Sequence, residues 1–336
     1  MRHRTWICLD GGTTNTRATL MVDGLPQDAV TVAVGVRNTI HTTDSPVRNA
    51  IRESLDSLIT RHNLQVSDTR VLASGMLGSE AGLINVPHLV APVSSEQAAA
   101  HVYAFFDESV WPQTIEIFPG IKTQPDHGDH SLLGHAATAD IMRGEEAQVW
   151  GLRYLMQSDD PQIINGRWSL LWPGSHTKLI SILADGTIQG SFTTLAGEVF
   201  AALKSATLLR RSLPDQNPPV YPLDLVQQAA ECVLQHGLLR AAFWTRVADL
   251  SEKLTESERA VWLSSAVITA DIQGLVHHPW IEEQNSQSLY LGGDPVRQQL
   301  YQLILKEKFG IPAVCISPSL CENAAAYGVS LLAGLI

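Results

Sequence analysis

Hydrophobic positions along the chain alternate between two periods. Short apolar runs open it, Thr5-Trp6-Ile7-Cys8-Leu9 and then Ala18-Thr19-Leu20-Met21-Val22, the second closed by Asp23-Gly24. Runs of that length read as strands joined by a tight turn. Helical spacing follows from Ser45 to His62, with Val47, Ile51, Leu55, Leu58 and Ile59 on one face, and Arg70–Ser74 is the next strand. Far downstream, Leu170-Leu171-Trp172 and Leu179-Ile180-Ser181-Ile182 form a second strand–turn–strand, closed by Asp185-Gly186. From Leu223 to His277 the pattern is almost purely helical, with Leu225, Ala229, Cys232 and Val233 in one stripe. Ser251 and Ser257, each with acidic followers, are expected N-caps there. Pro214 to Pro222 is a proline-rich connector, and His277-His278 before Pro279 reads as a helix end. Ser288–Leu291 is a last strand, and the segment Cys321–Val329 is a final helix rich in small residues.

The first turn, Asp10-Gly11-Gly12-Thr13-Thr14-Asn15-Thr16-Arg17, carries chemistry. Glycines and small polar residues let backbone N–H groups and hydroxyls approach a phosphate without obstruction. Asp10 would hold a water-coordinated Mg²⁺ at the same phosphates. An ordinary hairpin loop is the competing reading of this stretch alone. The stretch resembles the first phosphate-binding hairpin of the sugar kinase, actin and heat-shock ATPase superfamily, whose members carry two such hairpins across a cleft. That resemblance implies a second one downstream, met by Gly174-Ser175-His176-Thr177-Lys178. It also implies an adenosine-contacting glycine pair after a later strand, met by Gly292-Gly293.

A narrower resemblance lies in the middle of the chain. Met142-Arg143-Gly144-Glu145-Glu146, Pro173–Lys178 and Ala196-Gly197-Glu198 are similar to the M-R-G-E-E, P-G-T-H-x-K and T-G-E signatures of the 2-dehydro-3-deoxygalactonokinases. Gly75-Met76-Leu77-Gly78-Ser79 resembles that family's G-M-V-G-S, and Pro119-Gly120 its P-G. Two departures lie near the expected substrate site. Gly11 stands where the family usually has Trp, and the segment Gln124–Asp140 is longer than expected, carrying Asp126-His127-Gly128-Asp129-His130. The latter could be a solvated loop, a flap over substrate or a transition-metal site.

The resemblance implies an α/β, two-domain actin-like ATPase fold, ribonuclease H-like, with a central nucleotide cleft. One domain would take residues 1–145 joined by a C-terminal helix, 320–336; the other would take 146–319 with a helical insertion. The implied activity is ATP-dependent phosphorylation of a 2-keto-3-deoxy sugar acid, 2-dehydro-3-deoxy-D-galactonate at O6, with Mg²⁺. Alternatives are a kinase for another small sugar, a filament-forming or non-catalytic actin-like ATPase, and a sugar-sensing regulator. Asp10, Gly12, Thr13, Thr14, Asn15, Gly174, Ser175, His176, Thr177, Lys178, Gly292 and Gly293 would bind ATP, with Asp10 also at the metal. A sugar kinase needs a carboxylate near the accepting hydroxyl. Glu145 is the first candidate, because Gly144-Glu145 resembles an acidic turn in related kinases. Asp140 and Glu146 remain open, as does a plain helix start favoured by its dipole. Arg17 and Arg143 are the candidate grips on a substrate carboxylate, since a guanidinium binds one bidentately. Gly78 and Ser79 complete the expected sugar site. Lys178 serves equally as a strand lysine.

Composition narrows the classes further. The 336 residues are 45% hydrophobic, so packed domains are expected. A net charge of −11, from 34 acidic and 23 basic side chains, disfavours nucleic acid or an anionic membrane as main partner. Cys8, Cys232, Cys315 and Cys321 show neither a C-x-x-C pair nor metal-type spacing. With no leader-like or membrane-length apolar run, a cytoplasmic protein is expected, with a homo-oligomer left open. P-loop, H-E-x-x-H, G-x-S-x-G and strand-linked G-x-G-x-x-G motifs are absent from the sequence.

Overall fold

The structure, a computed structural model, describes residues 4–39, 46–125, 131–157, 166–216, 218, 220–282 and 288–336. In chain order the strands are β1 (Thr5–Gly11), β2 (Thr16–Val22), β3 (Leu25–Val32), β4 (Arg70–Gly75), β5 (Leu89–Val90), β6 (Tyr103–Asp107), β7 (Trp111–Ile117), β8 (Ile121–Thr123), β9 (Asp140–Met142), β10 (Trp168–Trp172), β11 (Thr177–Ile182), β12 (Ile188–Thr194), β13 (Ser288–Leu291) and β14 (Val314–Cys315). The helices are α1 (Pro46–His62), α2 (Ser95–Ala100), α3 (Leu132–Thr138), α4 (Glu145–Met156), α5 (Ala196–Ala206), α6 (Leu223–Leu250), α7 (Glu256–Leu275), α8 (Pro279–Glu282), α9 (Pro295–Phe309) and α10 (Pro318–Leu332).

Two larger sheets share one logic. The first runs β3-β2-β1-β4-β7-β6 and the second β12-β11-β10-β13-β14. In each, the first three strands of the sheet are neighbours in reverse order and the fourth lies on the other side of the first. β1 pairs antiparallel with β2 and parallel with β4, while β10 pairs parallel with β13. This repeated order is the ribonuclease H-like arrangement that the resemblance implies. A small sheet, β5-β8-β9, completes the strands.

The chain divides into two compact units. The first comprises Met1–Gly166, Ile182–Phe192 and Ser319–Ile336; the second comprises Arg167–Ser181 and Thr193–Pro318. In the first, Ile7, Leu9 and Leu20 of the sheet meet Ile51, Leu55 and Leu58 of α1, which buries the face that the helical spacing marked. The opposite side of β1 meets α10: the Trp6 indole N–H donates to Ser330 Oγ at 2.8 Å. α4 counts with this unit, whereas the sequence division placed most of it beyond residue 145. The cause is a backbone-to-backbone crossing of α4 and α10. A Cβ on Gly151 would overlap the Ala324 carbonyl oxygen, and one on Gly328 would overlap that of Ala147.

In the second unit α6 and α7 form the helical block, and α6 is two helices joined at a kink at Gly237 (φ 78, ψ 164). The expected caps are displaced. Ser251 closes α6 instead, donating its hydroxyl to Val247 O at 2.7 Å, and Ser257 lies inside the first turn of α7. The true N-cap is Thr255, because Glu258 three residues on returns the hydrogen bond and completes a capping box. Among the described residues, no helix is long and apolar enough to cross a membrane.

The helix crossing yields a stability prediction. Gly151→Ala and Gly328→Ala each push a methyl into backbone that cannot rotate aside, so each should cost about 1–3 kcal/mol or more. Gly274, exposed in α7 with nothing near its would-be Cβ, is the control: Gly274→Ala should stabilise by up to about 1 kcal/mol. Urea denaturation of the three variants checks both signs.

Candidate functional site

In the first unit the turn after β1 is a braced hairpin. Gly12 N–H donates to Asn15 O at 2.8 Å and closes it. Val36 and Arg37 N–H groups hold Gly12 O and Thr13 O from behind, at 3.3 and 3.1 Å. Thr14 and Asn15 stay exposed at the tip. Gly11 packs against Leu77: a Cβ there would lie 2.6 Å from Leu77 Cδ2.

Asp10 stands opposite Arg17 across β2 and opposite Ser74 across β4. Burial pushes its carboxyl up to about 6, the charge of Glu145 adds to that, and Arg17 opposes it. The Ser74 hydroxyl is buried beside it with no hydrogen-bond partner among the described residues. Two glycines at positive φ bring other chain segments onto this point. A Cβ on Gly75 (φ 75) would lie 3.0 Å from Asp10 Oδ1, and one on Gly144 (φ 117) would lie 3.1 Å from Gly75 Cα. No other residue adopts those angles without strain.

Gly144 is the N-cap of α4, and Glu145 and Glu146 form its first turn. Glu145 is half-buried, and its charge raises both Asp10 and Glu146. Glu146 is wholly buried with both oxygens 2.8 Å from Gly144 N. Desolvation, then Glu145, push its carboxyl up to about 8, against Arg143 and the backbone hydrogen bonds. Arg143 Nη2 donates to Val86 O at 2.6 Å and to His88 Nδ1 at 3.2 Å. Burial and two cations, Arg143 and Lys122, depress His88 to about 4, so it accepts as a neutral ring. Gly78 lies against the same guanidinium: a Cβ there would come 2.8 Å from Arg143 Nη1.

Other expected residues have different partners. Asp140, at the far end of β9, accepts from Ser191 Oγ at 2.6 Å. Arg17 pairs with Glu322 of α10 at 2.8 Å. Ser79 donates to Met76 O at 2.6 Å and closes its own short turn. The stretch Asp126–His130 lies outside the described residues. Among the described residues no group of three or more His, Cys, Asp or Glu side chains could hold a metal.

In the second unit the turn 173–176 is held by helices. Arg297 of α9 donates to Gly174 O at 2.5 Å, and Glu198 N–H of α5 donates to Ser175 O at 3.0 Å. His176 Nε2 lies 3.4 Å from Glu198 Oε1. The Thr177 hydroxyl is 3.0 Å from Tyr301 Oη, and Tyr301 donates to Asp271 Oδ2, so Thr177 directs its own proton inward to Tyr301. Thr194 donates to the other Asp271 oxygen at 2.5 Å. Burial raises the Asp271 carboxyl in spite of these hydroxyls. Lys178 is buried in β11 and donates to Thr193 Oγ1 at 3.2 Å.

Gly292 N–H donates to Leu171 O at 3.0 Å, and the Trp172 ring lies on Gly292, so the glycine pair abuts the second turn. Asp294 then caps α9, accepting from Arg297 N–H at 2.9 Å. Beside them lies a cavity of about 380 Å³, lined by Gly174, Gly197, Phe200, Tyr221, Asp294 and Arg297 among others. Sequence reasoning missed Phe200, Tyr221, Asp271, Tyr301 and His88 as members of these sites. Only Asp271 left a signal, a lone acid inside the apolar run of α7.

The raised carboxyls imply a pH trend. Glu146 keeps a proton in the folded chain that the unfolded chain releases near pH 4.5, so its contribution is full below that value and is lost as pH rises through about 8. In E146Q this loss is absent. The melting temperature of E146Q relative to the wild type should therefore climb from pH 5 to pH 8, and a constant offset in thermal melts would contradict it.

Comparison with known proteins finds related chains. The 2-dehydro-3-deoxygalactonokinase of Escherichia coli (strain K12) is 24% identical over 230 residues, covering 67% of this chain and 66% of that protein. The alignment thus spans just under two thirds of that curated relative. A solved Sinorhizobium meliloti protein, provisionally ascribed the same activity, superposes with a TM-score of 0.74 at 20% identity over 98% of both chains, so the two share a fold. The family model described as 2-keto-3-deoxy-galactonokinase matches residues 10–330. That match takes in both turns, the glycine pair and the Glu145 corner, and by it this chain belongs to the 2-keto-3-deoxy-galactonokinase family of sugar-acid kinases.

Proposed function

We propose that the protein transfers the γ-phosphoryl group of ATP to O6 of 2-dehydro-3-deoxy-D-galactonate. The observation that carries this reading is the packing of Gly144 on Gly75 and of Gly75 on Asp10, which brings the start of α4, with Glu145 as its first residue, to the end of β1. Phosphoryl transfer asks the protein mainly for positioning and charge stabilisation, plus a carboxylate that takes or orients the acceptor proton. Glu145 fills that last role. Asp140 is the weaker candidate, because Ser191 already occupies one of its oxygens.

The acidic corner also fits Mg²⁺, which is bound through one or two carboxylates together with substrate phosphates. Asp10 is a carboxyl raised by burial and a neighbouring acid, with an unmet Ser74 hydroxyl next to it. When bound, the ion would neutralise phosphate charge. The backbone N–H groups of Thr13, Thr14 and Asn15 offer phosphate contacts in the first unit, with Gly12 closing the turn that presents them. In the second, Gly174, Ser175 and His176 do so, while Thr177 and Lys178 support the turn from inside. The cavity beside Gly292 and Gly293 suits adenosine, with an aromatic and glycine-rich wall and two charged groups at its edge.

The substrate carboxylate requires positive charge, and Arg143 and Arg17 supply it. Arg143 is oriented by Val86 and His88, and its Nη1 has no hydrogen-bond partner among the described residues. Arg17 is shared with Glu322.

The reading predicts ADP release that depends on the sugar acid in a coupled assay across a panel of sugar acids and sugars. ATP turnover indifferent to sugar, or none with any sugar acid, would overturn it. E145Q keeps shape but loses the proton acceptor, so kcat should fall by roughly 10²–10⁴-fold with KM for the sugar acid little changed. Arg17→Ala should raise that KM more than it lowers kcat. An unchanged KM would assign the carboxylate to Arg143 alone.

A further inference from the structure

Glu146 reaches no substrate in the reading above, yet it is built into the corner that presents Glu145. Its side chain is wholly buried, and both of its oxygens lie 2.8 Å from Gly144 N. Gly144 has φ 117 and ψ −43 and caps α4 with no side chain of its own to satisfy the helix start. The first N–H groups of a helix lack partners within it, and a buried one left unmet is costly. Glu146 meets that need by folding back from the first turn onto the residue two before it. Gly144 in turn packs on Gly75, and Gly75 on Gly11 O and Asp10. Arg143, on the other flank of Gly144, is tied to Val86 and His88. Glu145, whose charge acts on Asp10, is therefore flanked on both sides by residues that are fixed.

We propose that Glu146 is a positioning residue for phosphoryl transfer, its carboxyl oxygens holding the Gly144 N–H so that Glu145 stays against Asp10. This rests on Glu145 being the catalytic carboxylate. Burial already favours the neutral form of residue 146, so the corner needs a hydrogen-bond acceptor there, and a negative charge is dispensable.

The test compares E146M, which fills the volume without an acceptor, with E146Q, which keeps one acceptor oxygen. Both are assayed with ATP and 2-dehydro-3-deoxy-D-galactonate beside E145Q, after circular dichroism confirms folding. A misplaced catalytic group typically costs up to about 100-fold, so kcat of E146M should fall by about 10- to 100-fold. Its KM for sugar acid and for ATP should each stay within about 3-fold, since the binding groups are untouched. E146Q should recover most of the turnover that E146M loses. A merely structural role would lower the folded fraction and leave kcat per folded molecule intact, which would overturn the proposal. So would an E146Q enzyme as slow as E146M, because charge would then be the requirement. Wild-type kcat in E145Q would instead overturn the assignment of Glu145 itself, whatever E146M shows.

Discussion

The backbone-to-backbone crossing of α4 and α10 is the constraint on which the first unit's site depends. Side chains normally hold helices about 8–10 Å apart, and small residues, glycine above all, let them approach more closely. Here Gly151 meets Ala324 and Gly328 meets Ala147, one glycine from each helix. α10 is itself pinned to β1 through Trp6 and Ser330. With both contacts made, α4 has little freedom to slide, and its N-terminus is delivered to the end of β1. Glu145 is held near Asp10 by contacts made at Ala147, about half a turn further along the helix, and at Gly151, nearly two turns along.

The consequence is a concentration of acid where water is scarce. Asp10, Glu145 and Glu146 come from two segments and would repel one another if all were ionised. The fold tolerates them by letting protons remain, by setting Arg143 and Arg17 nearby, and by ending α4 with its positive dipole towards them. A cation placed among them would favour the ionised forms that burial now disfavours.

Much of this was legible in the sequence, for local reasons. The two turns declare themselves through glycines and small polar residues flanked by strand-length apolar runs, and the fold class came with the resemblance that those turns carry. Glu145 was legible as a motif residue at a helix start. What was hidden depends on distant residues. Nothing within the turn Gly174–His176 announces that Arg297 will hold its carbonyl, or that Asp271 and Tyr301 will draw in the Thr177 hydroxyl. The cap at Thr255 was hidden differently: the serines around it offer the same chemistry, and only the reciprocal bond from Glu258 selects among them.

The contact between Gly11 and Leu77 makes the end of β1 and the short turn after β4 share one volume. Leu77 is fully buried and fills the room that a side chain at position 11 would claim. Any larger residue at position 11 would have to displace that side chain, so position 11 can grow only if position 77 shrinks with it.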